Sequence, residues 1–312
     1  MKRTLPLLLI LLLVSCAPFP TSIPQVQPTA TATLISYAPT FVLPTPSPTL
    51  TPIVCDPFSS DFCITDGNFI FQRPIKSPDN TFIDPTYAYA STANGQRDPH
   101  HGVEFLNKFG TTVYAAGDGV VLFAGADRET AYSPWQNYYG NVIVIQHTEN
   151  LYTLYAHLSK VSVEASQSVS VGDAIGEVGQ SGVAVGPHLH FEVRHGDVQD
   201  YFSTVNPELW LVPNKDANGQ LGVLQFSILD EGNQLIKFAK FTVENPSAAK
   251  QERKMFYGIT YSADMLHGDE NAVMSDMRPG FYRIAFKHNG QLYERRVEVQ
   301  SGKLTQVVFV VK

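Results

Sequence analysis

The sequence predicts an all-β protein, with two successive β units following a non-globular N-terminal tract. Three observations carry this reading. Short β-branched and aromatic runs, punctuated by Gly, Asn, Asp and Pro, fill the chain from about Asp66 onward. Extended helical periodicity is absent from the same region. A segment dominated by Pro, Thr, Ser and Ala comes first and has no apolar pattern with which to bury a core. With 312 residues, 44% of them hydrophobic, the chain holds apolar material for one large or two small cores. Its 22 Lys+Arg against 29 Asp+Glu leave a net charge of −7, unlike the basic surface with which a nucleic-acid binder neutralises phosphates. Nucleic acid is therefore not expected as a partner.

Lys2 and Arg3 precede an apolar run, residues 7–14, that is too short to span a bilayer and reads as a signal peptide. The run closes on Leu13, Val14, Ser15 and Cys16, which resembles a bacterial lipobox. That resemblance implies a signal peptide over residues 1–16, lipidation of Cys16 and an extracytoplasmic protein anchored to the bacterial cell membrane; the alternative is a plain secretory signal with an incidental cysteine. Acyl chains on that cysteine would exceed the two needed for stable anchoring. Residues 17–54 form a Pro/Thr-rich linker. In polyproline-like geometry, at about 3.1 Å per residue, it reaches on the order of 100 Å from the membrane. Cys55 and Cys63 remain, eight positions apart in VCDPFSSDFC. A disulfide between them suits a compartment outside the cytoplasm and closes a short loop worth about 2–3 kcal/mol. Two free thiols or half of a metal site are the alternatives, but no further Cys completes a four-ligand structural site.

The first β unit, residues 55–213, contains TTVYAA, GVVLFAG, NVIVIQH, LYTLYAHL, VSVGDAIGEVG and HLHFEVR, a pattern of antiparallel strands. The second, residues 214–312, contains LGVLQFSIL, KFAKFTV, FYGITYS, FYRIAFKHNG, LYERRVEV and TQVVFVVK, and its spacing predicts a small β-sandwich. Within it, Asn289-Gly290 supplies the positive φ angles of a type I′ hairpin turn.

The chemistry gathers in two clusters. In RDPHHGVEF, His100 and Glu104 are four apart; in GPHLHFEVR, His188 and His190 are two apart. Side chains two or four residues apart on a strand share a face, so each cluster can aim both members into one cleft. Imidazole and carboxylate are zinc ligands, and three protein ligands with an open fourth position make a catalytic site. One H-x-H alone is weak evidence; two clusters together are much stronger.

From Arg97 through Arg194 the sequence resembles the lysostaphin-type (LytM-like) zinc endopeptidases. HHGVEF is similar to that family's H-x-G-[IV]-D segment, LYTLYAHLS to the segment holding its third histidine, and VGDAIGEVGQSGVAVGPHLHFEVR to its final motif. GTTVYAAGDGVVLFAG and YYGNVIVIQH resemble the strands between. The resemblance implies an antiparallel β peptidase domain that uses zinc to hydrolyse peptide bonds of peptidoglycan. It implies that His100, Glu104 and His190 bind the metal, while His188 and His157 line the site without binding it. His188 would serve as general base and His157 would stabilise the oxyanion, roles the two could exchange or share. Glu104 stands where the family normally has Asp, which moves the carboxylate outward by about 1.5 Å. A metal-free domain that binds peptidoglycan or regulates a wall amidase is the alternative reading, and bound zinc separates the two. A third takes the chain as a carbohydrate-binding surface lipoprotein.

His101 is expected to point away from His100 as a surface or supporting residue, and His147 to sit at a strand end. His195, His267 and His288 lie beyond the motifs and are expected to be exposed. Asp118 and Gly119 read as turn residues, and Gly179, Gly182 and Gly186 as a turn that lets substrate approach the backbone. The C-terminal unit resembles immunoglobulin-like or carboxypeptidase-regulatory-like modules in a general way.

Overall fold

The computed structural model describes residues 55–93, 95–246, 255–262, 265 and 268–312. The leader, Cys16, the Pro/Thr-rich linker and His267 lie outside the described residues. Among those described, the architecture is β throughout, with two single 3₁₀ turns at Pro85–Tyr87 and Pro207–Leu209.

A nine-stranded antiparallel sheet carries the candidate site. Its main path runs Thr204–Val205, His188–His195, Leu151–Val161, Asn141–Thr148, Gly119–Ala126 and Ser168–Val169. Val103–Leu106 adds to the free side of His188–His195, and Thr112–Tyr114 pairs with Ala174–Val178. The apolar run of Asn141–Thr148 is explained by burial on both faces. Ile143 and Ile145 enter a large core with Phe105, Leu189 and Phe191, while Val142 and Val144 enter a smaller one with Tyr139, Leu154 and Tyr201. His188–His195 alternates instead. Leu189, Phe191 and Val193 go to the large core, so the even-numbered side chains share the other face.

The second half forms two four-stranded sheets. One orders Cys63–Thr65, Leu304–Val310, Gly222–Leu229 and Ala272–Met277; the other orders Met255–Ile259, Lys240–Glu244, Gly280–His288 and Gln291–Val299. Alternate residues from both, including Leu224, Phe226, Phe241, Val243, Ile284 and Val297, pack in one core, as a sandwich requires. Leu304–Val310 lies parallel to Gly222–Leu229. Asn289 and Gly290 adopt φ of 49° and 80° between the paired His288 and Gln291, the expected two-residue hairpin. Cys55 and Cys63 are joined in a disulfide. The segment they close adds its strand, Cys63–Thr65, to the C-terminal sheet and not to the nine-stranded one, although the sequence reading groups residues 55–213 together. Three-residue strands with one apolar position carry too little pattern to show which sheet they join.

The described residues make one compact unit. Arg73 donates both terminal nitrogens to the Asp276 carboxylate, at 3.0 and 2.6 Å. Glu208, buried, accepts from the Ser275 backbone N–H at 2.8 Å, and Asn206 donates to the Tyr261 hydroxyl at 2.7 Å. Tyr261 itself enters the large core of the first sheet.

Candidate metal centre

Glu104 and His190 stand directly opposite each other in the antiparallel register of Val103–Leu106 and His188–His195, and Ala156 faces His190 from the other side. Three adjacent strands bring Glu104, His157, His188 and His190 to one place, and His100 joins them from the loop ahead of Val103–Leu106, not from the strand face expected for it, because its backbone pairs with Ala90 and Ser91. His157 follows Ala156 at a β-bulge and adopts a φ of 61°, a left-handed conformation that costs a bulky residue about 1–3 kcal/mol. Its N–H donates to Tyr139 O at 2.9 Å and its Nδ1 bonds Ser181 O at 2.9 Å, so surrounding loops fix the kink. Gly102, between the first cluster and its strand, permits a close approach: a Cβ there would overlap the Phe191 carbonyl and press on the His190 ring.

His100 Nε2 lies 3.1 Å from His190 Nδ1 and 3.8 Å from Glu104 Oε1, and one ligand atom from each of the three residues falls within 4.8 Å of the others. His188 Nε2 is 3.5 Å from the same Glu104 oxygen. The His157 ring centroid lies 4.9 Å from that of His188 and 5.6 Å from that of His190.

The outer nitrogens decide the tautomers. His100 Nδ1 is 2.8 Å from Tyr87 O, and His188 Nδ1 is 3.0 Å from Gly186 O. A carbonyl only accepts, so these nitrogens, like Nδ1 of His157, carry the proton and leave Nε2 bare. His190 is turned the other way. Its Nε2 donates to Glu192 Oε1 at 3.0 Å, which leaves Nδ1 bare toward His100. Two lone pairs therefore face each other across 3.1 Å with a carboxylate alongside. That arrangement is repulsive by itself and is relieved by a cation, so the donor set fits a metal ion and, with two imidazoles and a carboxylate, fits zinc.

Burial favours the neutral form of three of these imidazoles, His100, His157 and His188. It pushes His100 well below the usual range, with His190 adding to the effect, and brings His157 down to about 3, with His190 and His188 adding. It also lowers His188, against the opposing pull of Glu104. Tyr87 stacks on His100 at 4.0 Å and is itself covered by the Arg97 guanidinium, 4.8 Å from its ring.

The remaining residues divide. His101 is buried, not at the surface: it stacks on Tyr201 at 3.7 Å and bonds Tyr201 O at 2.9 Å, because an aromatic loop covers the face opposite His100. His147 bonds Asp118 O and Thr153 Oγ1, His195 is exposed, and His288 is half-buried. Gly179 and Gly182 serve the protein's own packing, since a Cβ on either would overlap backbone of residues 157–159 or 138–140. Gly186, with a φ of 83°, does have open space around it. Sequence reasoning missed Glu192 and Arg194, although the alternation H-x-H-x-E-x-R places both on the face of His190.

What fold and donor set define is a class: a β-sheet protein with a candidate metal site of two imidazoles and a carboxylate. Residues 98–204 match peptidase family M23, whose members depend on zinc. It is 45% identical over 95 residues to peptidoglycan DD-endopeptidase ShyA of Vibrio cholerae, covering 30% of this chain and 20% of that protein. It is 33% identical over 190 residues to peptidoglycan DD-endopeptidase ShyB of the same organism, covering 56% and 42%. The chain thus spans a fifth to about two fifths of these relatives' length. The catalytic domain of the prophage-encoded M23 protein EnpA from Enterococcus faecalis, solved as a point mutant, aligns at 25% identity and a TM-score of 0.36, covering 43% of this chain and 92% of that one.

Proposed function

We propose that this protein is a zinc-dependent endopeptidase that hydrolyses peptide bonds of peptidoglycan. The observation that carries the reading is the pair of bare imidazole nitrogens, His100 Nε2 and His190 Nδ1, facing each other at 3.1 Å beside Glu104. These three residues would hold the metal. When bound, zinc acidifies water toward neutrality and polarises a carbonyl.

The other two histidines handle protons. His188 presents its bare Nε2 beside Glu104 and accepts the proton of the attacking water as the new C–O bond forms. The resulting imidazolium returns that proton to the amine nitrogen as the C–N bond breaks. His157 also carries its proton on Nδ1, so in its neutral form it is a second acceptor. It can stabilise an oxyanion only after gaining a proton, which favours a shared role over a fixed division.

Digestion of isolated peptidoglycan by the purified protein tests this. New amino and carboxyl termini in the released peptides, lost with a chelator and recovered with zinc, are expected; intact peptides in the presence of zinc would contradict it.

An enzyme with this substrate works outside the cytoplasm. In the same reading Cys16 is the lipid anchor, residues 17–54 are a stalk that lets the peptidase reach wall some distance from the membrane, and residues 214–312 are an accessory module. A Cys16→Ser variant should leave the membrane fraction on cell fractionation; unchanged membrane association would remove the anchor.

A further inference from the structure

His190 is the one histidine of the centre whose outer nitrogen does not bond a backbone carbonyl. Its Nε2 meets the carboxylate of Glu192, a residue with no solvent exposure. The two carboxylate oxygens are divided between tasks. Oε2 accepts from Arg194 Nε at 2.8 Å, while Oε1 accepts from His190 Nε2 at 3.0 Å and from the Tyr139 hydroxyl at 2.6 Å. Arg194 is in turn fixed by Val198 O at 2.7 Å, by Tyr132 O at 2.9 Å and by the Tyr139 hydroxyl at 2.9 Å. The side chains of Glu192, Arg194 and Tyr139 are all buried, and the arginine and tyrosine together hold a full negative charge on a single strand face.

We infer that Glu192 is a positioning residue for the metal centre: it holds the proton of His190 on Nε2, so that the Nδ1 lone pair is the one presented to the metal. The inference rests on the functional reading above only in taking His190 as a ligand. A backbone carbonyl would set the same tautomer, as it does for His100. A carboxylate adds negative charge behind the ring and makes the bare nitrogen a stronger donor. It also accounts for the buried Arg194: the guanidinium compensates Glu192, so that the charges would alternate outward from a cation held by His190. A buried Glu–Arg pair that served only the core would not need an imidazole on its second oxygen.

Glu192→Gln keeps the shape but not the charge, and its amide can turn its NH₂ toward Nε2, which moves the imidazole proton onto Nδ1, where the metal needs a lone pair. In the full-length protein, zinc affinity measured by competition with a chromogenic chelator should fall about 10- to 100-fold in this variant. Tyr139→Phe, which leaves the carboxylate and its bond to His190 in place, should bind zinc close to the parent. Because Glu192→Gln leaves Arg194 without its counter-charge and can fail to fold, the parent alone provides an independent measurement. In the metal-free protein, ¹⁵N chemical shifts of the His190 ring should show the proton on Nε2. A proton on Nδ1, or a folded Glu192→Gln variant that binds zinc as tightly as the parent, overturns the inference. Neither readout uses substrate, so a failure of wall cleavage bears on the functional reading and not on this one.

Discussion

Glu104 carries one methylene more than the Asp its position resembles, and its side chain, 14% exposed, holds Oε1 3.8 Å from His100 Nε2 and 3.5 Å from His188 Nε2. One negative charge beside two neutral imidazoles leaves a bound divalent ion net positive, so its hold on the metal is electrostatic first. Zinc content should therefore fall in the order parent, Glu104→Gln, Glu104→Ala, with Glu104→Asp retaining metal if the backbone closes the gap; equal zinc in the parent and the Ala variant would exclude Glu104 as a ligand. The histidines separate by the same logic. His100→Ala and His190→Ala should lose metal, whereas His188→Ala and His157→Ala should keep it and lose about 10²- to 10⁴-fold in rate. Parallel metal analysis and kinetics check this, and an equal loss of zinc in all four would refute the division. At this scale four of the five site residues stand out in the sequence as the clusters H-x-x-x-E and H-x-H, and His157 only through the family resemblance of LYTLYAHLS. H-x-H does lie on one strand face, whereas His100 sits in the loop ahead of the strand that carries Glu104. What is not legible is which ring nitrogen faces the metal: that depends on Tyr87 O, Gly186 O and Glu192, contacts that only the folded chain creates.

Strand His188–His195 shows how one element serves two purposes, since Leu189, Phe191 and Val193 hold it in the core while His188, His190, Glu192 and Arg194 share the other face. A one-residue slip in its pairing with Val103–Leu106 would exchange the two sets, so the core fixes the register that places Glu104 across from His190. Period-two patterning made this strand readable, as it did the hairpin at Asn289-Gly290. It could not reveal the bulge at His157, which depends on bonds to Tyr139 and Ser181 far away in sequence. Nor could it place Cys63–Thr65, whose partner, Leu304–Val310, lies near the other end of the chain. Between the two β systems, Arg73 and Asp276 form a pair with side chains 9% and 11% exposed. Asp276→Ala leaves the arginine unpaired and also removes the acceptor of the Asn214 N–H, so it should cost about 3–5 kcal/mol in chemical denaturation. A loss below about 1 kcal/mol, the range of an exposed pair, would show that the contact does not hold the two systems together.

For the whole molecule, these contacts and the entry of Tyr261 into the core of the nine-stranded sheet predict that the sheet and the sandwich unfold together. A half-buried acid adds a pH dependence. Burial, with Asp269 adding to it against a backbone hydrogen bond, raises Glu270 from 4.5 to about 7. Its folded form thus holds a proton that the unfolded chain releases, so its contribution to stability is complete below 4.5 and is lost as pH rises through 7. Glu270→Gln should therefore melt at a higher temperature than the parent at pH 8, with the gap narrowing toward pH 5; a gap that does not change with pH would contradict this. The cluster of His100, Glu104 and His190 offers the most direct measurement. The purified protein, stripped of metal and titrated with zinc, should take up one equivalent and regain peptidoglycan cleavage in proportion to occupancy, while Glu104→Ala gains neither. Cleavage that is complete in the stripped protein, or that Glu104→Ala performs as well as the parent, would contradict the account.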